Sequence, residues 1–458
     1  MKCNIAMSRR SASLTSVAFK RMSIAPTRCE SFRPRFYASD SNSLLAQEFT
    51  INGDRLWGDI HYTAQFSLPS PGGVTRLSAT PEDKMAKDWF REQVTALGAE
   101  YQVNGTGSQF ALFDWGDRSI PPIAMGSHLD SVATGGKFDG PLGVIGGLEV
   151  IRSMKEQGIK TKAPIALINW TNEEGARFFP PLGSSCVYVG RSTLEEAQAS
   201  VTHDGSGVTL GAELAKIGYI GDGPNTFEEF PISAHFEIHV EQYTDLEKAG
   251  KPVGWVKGWQ GMVWYFVNLR GDDGHANTYP MYGRRDALMG AAKIITELEK
   301  LAYDNGGSTT ATNIRSGPLG SCNIQSDVHL AFCLMHVEHS GMKAMSSAAE
   351  TKMKAIADMH GLEMRYHRDL DLPPGEFWPE AVDCVRRACG DDGIESITRT
   401  AHDSTMMTTL VPTAMVFARG KDGISHSAKE WTSKEDCAKS CEVLGKSVLN
   451  FDHYIQTK

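Results

Sequence analysis

Beyond Thr50 the apolar residues recur in two rhythms. "KDWFREQVTAL" and "GVIGGLEVIRSMKEQ" repeat every three to four residues and predict helices; "QFALFDW", "PIAMGSHL" and "APIALINWTNEE" are short apolar runs and predict strands. Strand, helix, strand in this order implies parallel βαβ units with helices on both faces of a sheet. In such sheets ligands bind beyond the carboxyl ends of the strands, and His128 and Glu173 both fall at predicted strand ends.

A second pattern begins near Gly250. "VWYFVNLRG", "VHLAFCLMH" and "LEMRYHRDL" predict strands, and "RRDALMGAAKIITELEKLA" and "SGMKAMSSAAETKMKAIADMH" predict helices. The order fits a β–α–β–β–α–β module set into the larger domain. From about Glu376 the first pattern resumes, ending in "TAMVFARGKDGISHSAKEW" and a last helix. The expected division is therefore a mostly parallel α/β domain over 48–250 and 366–458, with an inserted α+β module over 251–365.

The bulk composition narrows the function class. A chain of 458 residues exceeds what one core usually supports. Its net charge of −9 argues against nucleic acid or an anionic membrane as the main partner. No apolar run approaches the roughly 18 residues of a spanning helix. The nine cysteines are scattered without a CxxC pair and read as buried reduced thiols. Residues 1–38 stand apart: Lys2, Arg9, Arg10, Lys20, Arg21, Arg28, Arg33 and Arg35 face a single acid, Glu30, in a Ser-rich background. That composition predicts a mitochondrial transit peptide, with processing near Tyr37 and Ala38 and a mitochondrial location; without import the protein would be cytoplasmic.

Four separated segments offer metal-binding groups at a strand end or turn: "GSHLDSVATGGKFDG" with His128 and Asp139, "TNEEGARF" with Glu173 and Glu174, "HFEIHVEQ", and "GISHSAKE" with His426. Taken singly each has a plainer reading, as a hydrogen-bonded histidine or a solvated pair of glutamates. Strand alternation, however, puts His235, Glu237, His239 and Glu241 on one face of an otherwise apolar strand. Imidazole and carboxylate are the donors zinc and similar divalent ions take, and two close ions need a carboxylate between them.

"GSHLDSVATGGKFDGPLGV", "NEEGARF", "FEIHVEQ", "RGDDGHANTYPM…RRDAL", "AHDS" and "DGISHS" resemble, in order, blocks of the amidase, hydantoinase and carbamoylase branch of the dinuclear zinc aminoacylase/carboxypeptidase-like metallohydrolases. β-Ureidopropionase, N-carbamoyl-L-amino-acid hydrolase and allantoate amidohydrolase are of this type. The resemblance implies a zinc-exopeptidase-like catalytic domain with a ferredoxin-like lid and dimerisation domain. It implies two divalent ions per subunit, zinc first, with manganese, nickel or cobalt also suited. His128 and His239 would hold one ion, Glu174 and His426 the other, with Asp139 between them. Asp130 would orient His128 through its other ring nitrogen. Glu173 would be the general base, and the lid residue His275 would stabilise the oxyanion, often in the partner subunit of a homodimer. Gln242, Asn323 and His402 would face a small ureido or amide substrate, which the enzyme would split to ammonia and carbon dioxide. The other readings are an aminoacylase or dipeptidase-like peptidase, and a catalytically silent binding relative.

The recognition half departs from the pattern. Met335 stands where the family places a carboxylate-gripping arginine, unless a shift of one residue puts His336 there. Gly274, Asn277 and Tyr279 also differ from the usual lid block.

Overall fold

The computed structural model describes residues 49–457; the basic segment 1–38 lies outside the described residues. Going along the chain, the first five strands are β1 (Glu100–Val103), β2 (Gln109–Phe113), β3 (Ile123–His128), β4 (Ile165–Trp170) and β5 (Ala234–Val240). Then come β6 (Val253–Trp259), β7 (Gly261–Arg270), β8 (Ser308–Gly317), β9 (Asp327–His336) and β10 (Glu363–Leu372). The last are β11 (Gly375–Glu376), β12 (Gly393–Thr398) and β13 (Thr413–Ala418).

The larger sheet runs β1-β2-β4-β3-β5-β13-β6-β11, with β12 also on β6. Its centre, β4-β3-β5-β13, is parallel, while β2 and β6 flank it antiparallel. Every residue of those four central strands is buried, as expected for strands covered on both sides. One face packs against the long helices Pro141–Glu156, Pro379–Cys389 and Lys434–Gln456, and Gly53–Thr63 lies over the first and last of these. Phe236, Ile238 and Val240 of β5 point into that core. The opposite face carries Ala124, Ile168 and Trp170, packed with Tyr188 and Met406 of the short helices Gly183–Tyr188 and Asp403–Met407. From β3 the chain proceeds to β4 on one side, and β5 lies on the other, so the strand order reverses at β3/β5. A ligand crevice opens at such a reversal.

The second sheet, β10-β7-β9-β8, is antiparallel throughout. The helices Ala287–Asn305 and His339–Met359 cover one face, where Leu298 and Met353 share a core with Val263, Tyr265 and Phe332. The strand order and the two helices are those of a ferredoxin-like module. Its other face meets the larger domain. The Phe179 ring lies 5.1 Å from Phe266, and Arg315 donates to the His203 carbonyl.

The module's limits differ from those expected. β6 belongs to the larger sheet through β13 and β12, so the insertion begins after Trp259 rather than at 251. β10 carries it on to Leu372 rather than 365. The sequence hides the first limit because "VGWVKGW" alternates like the strand that follows, and only Gln260 separates them. β8 was invisible as an apolar run: it is an edge strand whose residues are mostly exposed. All seven described cysteines are unbridged.

Candidate metal centre

The site forms at the carboxyl ends of β3, β4 and β5, together with the loop after β13. His128 ends β3, and Asp139 lies two residues before the helix Pro141–Glu156. Gly140 between them has φ +80°, and a Cβ there would fall 2.4 Å from the His128 ring. Only glycine lets the helix start so close beneath the imidazole. Glu173 and Glu174 follow β4 in a turn in which Asn172 takes φ +58° and donates to the Phe178 and Pro180 carbonyls. His426 sits at φ +50°, after β13.

These residues converge. His128, Asp139 and His239 form one group, and Asp139, Glu174 and His426 a second, each with donor atoms within 4.8 Å of one another. The two oxygens of Asp139 divide the work. Oδ1 lies 3.0 Å from His239 Nε2 and 3.7 Å from His128 Nε2. Oδ2 lies 3.2 Å from His426 Nε2, which in turn is 3.3 Å from Glu174 Oε2. That is the arrangement of a carboxylate between two cation positions.

The backbone sets which ring nitrogens face inward. His128 Nδ1 bonds the Asp130 carbonyl and His239 Nδ1 the Val240 carbonyl, each at 2.9 Å. A ring nitrogen facing a carbonyl must carry a proton, so in both rings Nε2 is the atom turned into the site and the one that can donate to a cation when unprotonated. His128 Nε2 is buried with no hydrogen-bond partner, as is Glu174 Oε1. Orphaned donors of metal-ligand type, set beside carboxylates, are what a cation would satisfy. The residues present fit a divalent pair.

The charges agree. Burial and then the Asp403, Glu174 and Asp139 carboxylates hold Glu173 well above the usual range. Burial and Asp139 do the same to Glu174. Burial alone would lower His239, but the facing Asp139 overrides it and pushes the imidazole up to about 9. His426, whose side chain is half exposed, reaches about 9 as well, its partial desolvation outweighed by Asp139 and Glu174. Asp139 itself is drawn well below its usual value by His239 and His426, against its burial.

The remaining expected residues fall into two sets. Glu173 lies within the site, its Oε2 3.5 Å from His128 Nε2. The Asp130 carboxylate does not bond the His128 ring; its backbone carbonyl does, while the carboxylate takes the Ser78 hydroxyl and the N–H groups of Glu173 and Glu174. Asp130 thus steadies the glutamate turn. Gln242 donates to Asp139 Oδ2 at 3.1 Å. The His402 ring centroid lies 4.3 Å from that of His239, the rings tilted by 55°, with Nε2 on the Thr398 hydroxyl. His275 and Asn323 lie apart. They pair through a backbone bridge in the inserted module, both exposed, and among the described residues neither bonds the cluster.

Two participants carry no signal of their role in the sequence. Glu430 is buried and accepts the N–H groups of Phe138 and Asp139, so it fixes the backbone of the shared carboxylate. Ser425 bridges Asp139 Oδ2 and Glu430 Oε2. Both stand in "GISHSAKE", but nothing in their spacing separates them from surface residues. His336, the alternative to Met335, is buried and held by Asn305 and Glu338. Met335 packs in the apolar cluster with Met262 and Leu372, where the two sheets meet.

The described residues include no helix long and apolar enough to cross a membrane. A model of the peptidase family M20/M25/M40 matches residues 124–450. An N-carbamoyl-L-amino acid amidohydrolase of Geobacillus stearothermophilus is 33% identical over 405 residues, spanning 87% of this chain and 98% of that protein. The allantoate amidohydrolase of Bacillus subtilis is 28% identical over 388 residues, spanning 82% and 92%. A crystal structure of an amidase of the hydantoinase/carbamoylase family from Burkholderia vietnamiensis is similar at a TM-score of 0.84 and 33% identity, covering 88% of this chain and 98% of that one. On these matches and on the convergence of its ligand-type residues, the chain belongs to the M20/M25/M40 peptidase family, in its hydantoinase/carbamoylase amidase branch.

Proposed function

We propose that this protein is a metal-dependent amidohydrolase that cleaves the C–N bond of an N-carbamoyl (ureido) amino acid or a related linear amide, with release of ammonia and carbon dioxide. The observation that carries the reading is the division of Asp139 between two groups of ligand-type residues. His128, Asp139 and His239 would hold one divalent ion, and Asp139, Glu174 and His426 a second; zinc suits the donor set, as do manganese, nickel and cobalt. When bound, such ions acidify water and polarise a carbonyl.

The chain's own groups supply the rest. Glu173 is buried beside His128, and its surroundings make its carboxylate a stronger base than usual, so in its ionised form it can take a proton from the attacking water and then pass it to the leaving nitrogen. Asp130 and Asn172 keep its turn in place. His402, neutral because burial and then the neighbouring His239 lower it well below its usual range, offers a hydrogen bond without adding charge. His275 and Asn323 lie on the inserted module, which we read as a lid. In a homodimer through this module, His275 of one copy would complete the site of the other. The basic segment 1–38 is consistent with import into mitochondria.

The test is release of ammonia and carbon dioxide by metal-loaded protein from a panel of N-carbamoyl amino acids, allantoate, ureidoglycolate and N-acyl amino acids. Turnover confined to the ureido compounds is expected. Turnover of N-acyl amino acids alone would replace this reading with an aminoacylase.

A further inference from the structure

The polar face of β5 is only partly used by the metal centre: His239 is a candidate ligand, yet Glu237 and His235 belong to neither group of ligand-type residues. Both are buried. A buried carboxylate needs a reason, and this one has no lysine or arginine partner among the described residues.

The reason lies in the sheet. The β3–β4 ladder runs through to His128↔Trp170, and the β5–β13 ladder through to Val240↔Ala418. The β3–β5 ladder stops early, at Met125↔Phe236. Beyond that point a side-chain bond replaces it: Ser127 Oγ donates to Glu237 Oε1 at 2.7 Å. The other oxygen, Oε2, accepts the hydroxyl of Ser404 at 2.6 Å and its N–H at 3.3 Å. Ser404 has spent its one proton, so its oxygen can only accept from His235 Nδ1 at 3.2 Å. His235 is therefore the Nδ1–H tautomer, and burial holds it neutral, with a pKa of about 3.

We infer that Glu237 is a positioning residue, a clip across the seam where β3 and β5 part. Ser127 adjoins His128, Glu237 is two residues before His239, and Ser404 is two residues after His402. One carboxylate thus sets the spacing of three imidazoles that come from three separate segments. A seam that must open to admit cations cannot keep its backbone ladder there, and a side-chain network fully satisfied at the carboxylate replaces it.

The inference rests on the metal reading above, so its test uses a readout that needs no substrate. Cobalt-loaded full-length protein reports ligand geometry through its visible spectrum, and titration gives its cobalt affinity. Glu237→Ala and Ser127→Ala are expected to weaken cobalt binding 10–100-fold and to change the spectrum. Glu237→Gln keeps the Ser127 bond and is expected to recover most of both. Where turnover is measured, kcat should fall with KM within about twofold, since no substrate contact is removed. If Glu237→Ala does not fold, Ser127→Ala still decides, because it removes the same bond from the other side. Wild-type cobalt affinity and spectrum in Ser127→Ala, with only thermal stability lowered, would overturn the clip. A wild-type protein inactive on every ureido compound, but showing the expected cobalt changes, would remove the proposed reaction and leave the clip standing.

Discussion

The larger domain and the inserted module carry their candidate residues in opposite ways. In the larger domain His128, Asp139, Glu173, Glu174 and His239 are nearly or wholly buried, locked by backbone carbonyls and by Asp130, Glu430 and Ser425. In the module His275 and Asn323 are exposed and held chiefly by each other's backbone. Burial with every partner in one chain describes a centre that can hold cations by itself. His275 also accepts the Asn277 N–H through Nδ1, so its contacts stay within the module and none reaches the buried cluster among the described residues.

Breaking the first half should have the largest effect. Glu173→Gln keeps shape but cannot take a proton; turnover is expected to fall by about 10²–10⁴-fold, with metal content by atomic absorption near wild type. Equal loss of metal would make Glu173 a ligand instead. His275→Ala comes next, with kcat lowered by roughly 10²–10³-fold and metal retained. Mixing it with Glu173→Gln protein should restore activity if the residue serves a partner, and no recovery would place its action within its own chain. His128→Ala should lose metal and lower the Tm by about 10 °C, since bound ions stabilise only the folded state. Unchanged metal content would remove His128 from the ligand set.

The electrostatics sharpen the contrast. His239 and His426 are raised from 6.5 to about 9 in the metal-free protein, so both carry protons at pH 7. Their pairing stabilises the metal-free fold fully below about pH 6.5, and that contribution is lost as pH rises through 9. A cation must displace those protons, so apparent affinity should climb from pH 7 to 9 and then level. Calorimetry in buffers of different ionisation enthalpy reads the released protons; none released would contradict the pairing. The smallest effect is expected in the other half. Met335→Arg puts a charge into the apolar junction with Met262 and Leu372, and should lower the Tm by a few degrees. A tighter KM for N-carbamoyl substrates would instead show that the substrate pocket reaches this position.

The same contrast explains what the sequence disclosed. Alternation in "AHFEIHVEQ" exposes the polar face of β5 because every residue there is buried and the two faces must differ. Strand-end placement likewise picks out His128 and Glu173. Glu430 and Ser425 were not legible, because their roles depend on bonds across nearly 300 residues to Phe138 and Asp139. The start of the inserted module was missed for a local reason: β6 and β7 share one alternation across Gln260 although they serve different sheets.

That junction has a practical consequence. The chain leaves the larger sheet at Trp259 and re-enters at Gly375, and these two residues are register partners. Removing 261–373 and joining the cut ends would convert the exit and return into an ordinary hairpin. The excised segment closes its own core beneath Tyr265 and Phe332. The module can therefore be exchanged as a cassette at one two-strand junction, provided the replacement again covers the apolar surface that Met262, Met335 and Leu372 share with the larger domain.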